Sequence, residues 1–124
     1  MMLAGVAFCV LLAGLALFQA ALVAGAPLGA FAWGGQHRVL PTRLRIGSVV
    51  SIGLYLVFSL IVLDRAGLWP IEPFSAIRPY ATWVLAAYFV LGIAMNAISR
   101  SRPERLTMTP LAAVLALCCV LVAL

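Results

Sequence analysis

The sequence predicts an all-α fold, an integral membrane bundle of four transmembrane helices with both termini on the non-cytoplasmic side. Three observations carry that reading. Of the 124 residues, 66% are apolar and 9% charged, and the mean hydropathy is +1.21. A soluble domain is nearer 45–50% apolar and about 25% charged, so there is too little polar surface here to coat a water-soluble globule. The apolar residues fall into four runs, and the eight arginines stand in or beside the connections between them. Residues 1–124 read as a single transmembrane domain, with helices at about 2–26, 43–66, 80–99 and 106–124.

The first run has the length that a ~30 Å hydrocarbon core requires. Ala24-Gly25-Ala26 imitates a signal-peptide cleavage site. However, no basic residue precedes the run, the run is too long, and Pro27 would follow the cut. It is therefore read as helix 1. Gly5, Cys9, Ala13 and Leu17 form one row along it, and Ala16, Ala20 and Ala24 another. Small residues at every fourth position favour close helix approach in lipid. Gln19 is the one polar side chain of this run, and an amide in hydrocarbon needs a partner, so it should face the bundle.

Residues 27–45, PLGAFAWGGQHRVLPTRLR, hold the only histidine and three of the arginines. Phe31 and Trp33 suit the headgroup level. Gly34-Gly35 breaks any helix, and Pro41 is acceptable at the start of helix 2, where its missing N–H costs nothing. Residues 27–33 either re-enter the membrane or lie along it. In helix 2, Ser48, Ser51, Tyr55 and Ser59 share a face, and Asp64 and Arg65 close it. Three prolines and a glycine in 67–79 exclude a continuous helix, and Trp69, Phe74 and Ile77 suit an interfacial segment. In helix 3, Tyr88, Gly92, Asn96 and Ser99 share a face. Arg100, Arg102, Glu104 and Arg105 follow, with Pro103 as a stop and Thr109-Pro110 as an N-cap and first-turn pair. Counted from Pro110, helix 4 is short, roughly 22 Å.

Four spans put Arg38, Arg43, Arg45, Arg100, Arg102 and Arg105 on one side, and Arg65 and Arg78, offset by Asp64 and Glu72, on the other. By the positive-inside rule the first group is cytoplasmic. The expected location is a cell membrane of multi-pass type, such as a bacterial inner membrane. The net charge of +5 has no basic domain to carry it, so nucleic acid is not expected as a partner.

Cationic residues at the starts of helices 2 and 4 face the positive ends of the helix dipoles, so something else must favour them. Anionic lipid headgroups are one answer, at about 1 kcal/mol per basic residue near the surface. An anion site that includes His37, Arg38, Arg43, Arg45, Arg100, Arg102 and Arg105 is the other. A second candidate set is Gln19, Ser48, Ser51, Tyr55, Tyr88 and Asn96, which by depth either line a cavity open to the inside or join the helices by hydrogen bonds. Cys9, Cys118 and Cys119 have neither disulfide-framework nor metal-ligand spacing. No metal or cofactor is expected, no catalytic residue stands out, and no acidic residue lies at mid-membrane, where coupled transporters usually keep one. The expected function is an oligomeric or accessory membrane subunit with a basic, lipid-binding cytoplasmic face, its partners being anionic lipids and either a second copy or a larger membrane protein. The alternatives are a small channel or facilitator with a polar inter-helix cavity, and a membrane thiol or quinone redox protein.

Overall fold

The protein, here a computed structural model, is described over residues 1–124 and is all-helical. Four α-helices carry the fold: α1 (Met2–Val23), α2 (Thr42–Arg65), α3 (Arg78–Ala97) and α4 (Arg102–Ala123). Each is long and apolar enough to cross a membrane, and the chain is of multi-pass membrane type. Short 3-10 turns at Gly29–Phe31, Trp33–Gly35 and Glu72–Phe74 sit in the connections.

The helix boundaries follow from local chemistry. Gly25, at φ +95°, ends α1 in the left-handed conformation that a helix C-terminus favours. Pro79 sits in the first turn of α3, which starts at Arg78. The fourth helix departs most from expectation. Pro103 does not stop a helix but lies in the first turn of α4, behind Ser101 as N-cap. In that turn a proline's missing N–H has no intrahelical partner to lose. Pro110 lies inside the helix, not at its start. It forgoes one backbone bond, and Thr109 Oγ1 caps nothing and is buried without a partner. With 22 residues α4 is roughly 33 Å long and needs no shortened span.

The helices pack as two intimate pairs, α1 with α2 and α3 with α4. The α1–α4 contact closes the bundle, whereas α2 and α3 touch more lightly. The half of the bundle that holds the termini is filled. Phe8, Leu12, Val62, Phe89, Leu115, Cys119 and Val122 are all buried there. The rings of Phe8 and Phe58 both meet Phe89 edge-on, at 5.6 and 5.8 Å. In lipid such contacts act through packing, since lipid tails are as apolar as leucine. Gly5 belongs to this contact: a Cβ there would stand 3.1 Å from Ala66 Cβ. The expected small-residue row does not stay in it, because Ala13 and Leu17 are exposed. Each step of four residues turns about 40° around a 3.6-residue helix, so the row winds off the contact face.

Polar groups close both ends. At the terminal end Arg78 grips Asp64 with two bonds, Nε to Oδ2 at 2.7 Å and Nη2 to Oδ1 at 3.0 Å. Ile71 N–H also donates to Asp64, at 2.6 Å, and Arg65 donates to the Ala123 carbonyl at the C-terminus of α4. At the other end the first and third connections meet. Ser101 Oγ donates to the Ala30 carbonyl, and Gly34 N–H donates to Glu104 at 3.1 Å. Six arginines, in these two connections and in the first turns of α2 and α4, therefore share one end, and both termini share the opposite end with Asp64.

Candidate functional site: a capped cavity between the helices

The first connection folds back onto the bundle. Gly29 N–H donates to the Arg38 carbonyl at 2.9 Å, drawing the two arms of the loop together. Trp33, Gly34 and Gly35 have φ of +53°, +76° and +70°. For Trp33 this left-handed conformation costs on the order of 1–2 kcal/mol. The indole offsets it by lying in the gap at Gly47 and donating to Ser48 Oγ at 3.2 Å. Gly34 then presents its N–H to Glu104.

Beneath this loop is a cavity of about 420 Å³, within the ~300–1,000 Å³ range of small-molecule sites. The loop contributes Phe31, Ala32 and Trp33 to its wall at the arginine-bearing end. α1 contributes Phe18 and Gln19, α2 Ser51 and Tyr55, α3 Tyr88, Gly92, Met95 and Asn96, and α4 Glu104, Met108 and Ala112. The inner end is shut by aromatic rings: Tyr88 meets Phe58 at 5.1 Å and Phe89 at 5.2 Å. Tyr88, Leu91 and Met95 line the cavity yet are 48, 62 and 61% exposed. They form one stripe on α3, and the Tyr88 ring touches α2 through Phe58. The cavity thus opens sideways, where α2 and α3 touch lightly.

The structure gathers five of the six polar positions singled out from the sequence, Gln19, Ser51, Tyr55, Tyr88 and Asn96, around this one cavity. Ser48 lies outside it, fully buried under Trp33. Gln19 is 8% exposed. Its Nε2 donates to Tyr55 Oη at 3.2 Å, and its Oε1 has no partner. Ser51 Oγ and Asn96 Nδ2 bond their own helices, at Gly47 O and Gly92 O.

Glu104 is the lining residue that sequence reasoning passed over. It is 9% exposed and makes no ion pair. Its Oε2 accepts from Gly34 N–H at 3.1 Å and from Ser99 Oγ at 2.5 Å. It stands in the first turn of α4, where the helix dipole favours an anion. The signal was present as Ser101-x-x-Glu104, a capping-box pattern. Only half of the box forms. Glu104 N–H donates to Ser101 Oγ at 3.5 Å, while the carboxylate turns to the first connection.

None of the seven basic candidates lines this cavity. His37 and all of the arginines stand outside the cavity wall. Arg45 donates to the Leu40 carbonyl at 2.8 Å, its guanidinium lying against Gly25 at the C-terminal end of α1. A cation at the start of α2 is thereby placed at the negative end of its neighbour's dipole. Arg105 donates to the Ser99 carbonyl at 3.1 Å, and Arg38, Arg43, Arg100 and Arg102 are exposed.

A second hollow, about 350 Å³ and almost wholly apolar, lies at the terminal end between α2, the Ile71–Ile77 segment and α3, beside the Asp64–Arg78 pair. The three cysteines are free thiols. Cys118 and Cys119 are buried, and Cys9 Sγ approaches the Ser59 carbonyl at 4.0 Å. Comparison of the chain with protein-family models, with curated proteins and with solved structures returned no match.

Proposed function

We propose that this chain is a membrane-embedded binding protein, holding one small amphipathic molecule between its helices. A single observation carries the reading. Gln19 is nine-tenths buried, faces a cavity of about 420 Å³, and has one end of its amide unpartnered. A buried polar atom left unpaired costs about 1–3 kcal/mol, and a ligand that bonds to it recovers that cost. The cavity wall is mainly apolar, with a few polar groups, which is the make-up of a small-molecule site.

The blind inner end favours binding over conduction. A channel needs a continuous path, and the terminal half of the bundle is packed with Phe8, Leu12, Phe89 and Leu115. The six arginines gathered at one end support a cytoplasmic orientation for that end and contact with anionic headgroups there. On this reading the protein is a non-enzymatic subunit of a cell membrane.

Native mass spectrometry from lipid tests the proposal. The wild-type chain should leave the membrane with a small molecule attached. Gly92→Leu should lose it, because a Cβ at Gly92 meets only Ala112 Cβ, at 4.0 Å, and a larger side chain grows into the cavity. Equal ligand retention by the two proteins, or none by either, would overturn the reading.

A further inference from the structure

We infer that the ligand of this cavity is an amine-bearing amphiphile, with a positively charged, hydrogen-bond-donating head set against Glu104 and an apolar tail reaching out between α2 and α3. The inference rests on the reading of the cavity as a ligand site and adds the chemical class of the occupant.

Asn96 and Glu104 each leave an acceptor oxygen of the wall without a partner. Asn96 Nδ2 spends one of its two N–H groups on the Gly92 carbonyl, which orients the amide and leaves its oxygen and its second N–H unbonded. Both bonds to Glu104 fall on Oε2, which leaves Oε1 free. Gln19 offers either end, since its partner Tyr55 Oη both donates and accepts. These oxygens suit a head that donates, while the Tyr55 and Tyr88 hydroxyls remain available as donors, so charge decides the class of the head.

Charge points the same way. The chain carries +5 overall, yet no arginine and not the histidine lines the cavity, and Glu104 is its one ionisable carboxylate. A phosphate or carboxylate head would have to be stripped of water beside that carboxylate with no cation to receive it, the arrangement that electrostatics penalises most. Glu104 itself lacks a cation: the chain's one ion pair is Arg78–Asp64, at the far end of the bundle. The Gly34 N–H, the Ser99 hydroxyl and the dipole of α4 only partly replace water around it. A buried carboxylate is stabilised further by an ammonium than by any neutral group.

Shape assigns the tail. Above Glu104 the wall is apolar through Met108, Leu111 and Leu115, and the way out passes Tyr88, Leu91 and Met95. In a bilayer that opening faces lipid, so an alkyl chain can enter from the membrane without crossing water. The head then comes to rest beneath the Trp33–Gly34 cap.

The test uses the full chain in lipid nanodiscs, with Trp69 and Trp83 replaced by Phe so that Trp33 reports on the cavity. Decylamine, decanol and decanoate are titrated at pH 7, with the Gly92→Leu protein in the same lipid correcting for partition into the bilayer. The expected result is that decylamine binds at least roughly tenfold tighter than decanol, the scale of one hydrogen bond to a charged group, with decanoate weakest. Glu104→Gln, which keeps an acceptor for Gly34 and Ser99, should erase the preference for the amine. If that variant does not fold, the wild-type ranking of the three probes decides alone. Equal binding of all three, or preference for decanoate, with Gly92→Leu abolishing it, would overturn the charge assignment and leave the cavity reading intact. Wild-type signals no different from those of Gly92→Leu would overturn both.

Discussion

The indole N–H of Trp33 donates to Ser48 Oγ at 3.2 Å across a gap that exists because residue 47 is glycine. A Cβ at that position would stand 2.7 Å from the ring. Gly47→Ala should therefore dislodge Trp33 from α2. Forcing a methyl into packed space typically costs about 1–3 kcal/mol. Gly53 lies in the same helix with nothing within 4 Å of its virtual Cβ. Gly53→Ala should gain roughly 0.5–1 kcal/mol from helix propensity alone. Thermal unfolding in detergent measures both, and a shift of tryptophan emission in Gly47→Ala alone ties its loss to the ring.

The same loop depends on Gly29 for a different reason. Its N–H donates to the Arg38 carbonyl at 2.9 Å, and a Cβ would fall 1.7 Å from the His37 carbonyl oxygen. Backbone cannot yield as a flexible side chain can. Gly29→Ala should open the loop and expose the cavity from the arginine-bearing end. Gly34→Ala meets no atom within 4 Å and pays only for φ +76°, about 1–2 kcal/mol. Hydrogen exchange over 29–40 should rise strongly in the first variant and modestly in the second.

These two glycines show where the sequence was legible and where it was not. The four spans followed from apolar run length, which lipid imposes directly. The polar positions of α1, α2 and α3 could be sorted by depth, because 1.5 Å per residue fixes height in a helix. The return of residues 27–40 over the bundle could not be read, since it rests on contacts between Trp33 and Gly47 and between Gly34 and Glu104, far apart in the chain. Glu104 was hidden by the reading of Pro103 as a stop. A proline at a helix start and one past a helix end look alike in sequence, and the Ser101-x-x-Glu104 spacing was the cue that separates them.

At the opposite end, Asp64 and Arg78 define a clamp between α2 and α3. Asp64 accepts from Arg78 twice and from Ile71 N–H once, whereas Arg78 has no carboxylate partner but Asp64. Removing the acid takes the acceptor from a half-buried backbone N–H as well as from the guanidinium. Asp64→Ala should therefore lower the melting temperature more than Arg78→Ala does. Arg78→Lys should rescue only part of the Arg78→Ala loss, because an ammonium cannot make the two-pronged contact. Equal melting temperatures for the two alanine variants would mean that the Ile71 bond carries little.

The distribution of arginines also predicts topology. Gln36 and Ala76 are exposed in the first and second connections. In a chain with its three cysteines replaced, Ala76→Cys should react with a membrane-impermeant thiol reagent in intact cells, and Gln36→Cys only after permeabilisation. The reverse pattern would assign the arginine-rich end to the outside.

Glu104 joins the cavity to its cap, so its replacement should separate structure from binding. Glu104→Ala leaves Gly34 N–H and Ser99 Oγ without their acceptor. Gly34 is exposed and Ser99 half-buried, so water replaces part of what is lost and the cost stays below the ~1–3 kcal/mol of a fully buried donor. The loss should be local, because α4 keeps its Ser101 N-cap and its packing against α3. Hydrogen exchange at Gly34 and Gly35 should rise while the helix interiors stay protected. Glu104→Gln retains an acceptor oxygen and should keep the cap closed. If the alanine variant instead unfolds the whole bundle, Glu104 holds α4 itself in place and the cap is no separate unit.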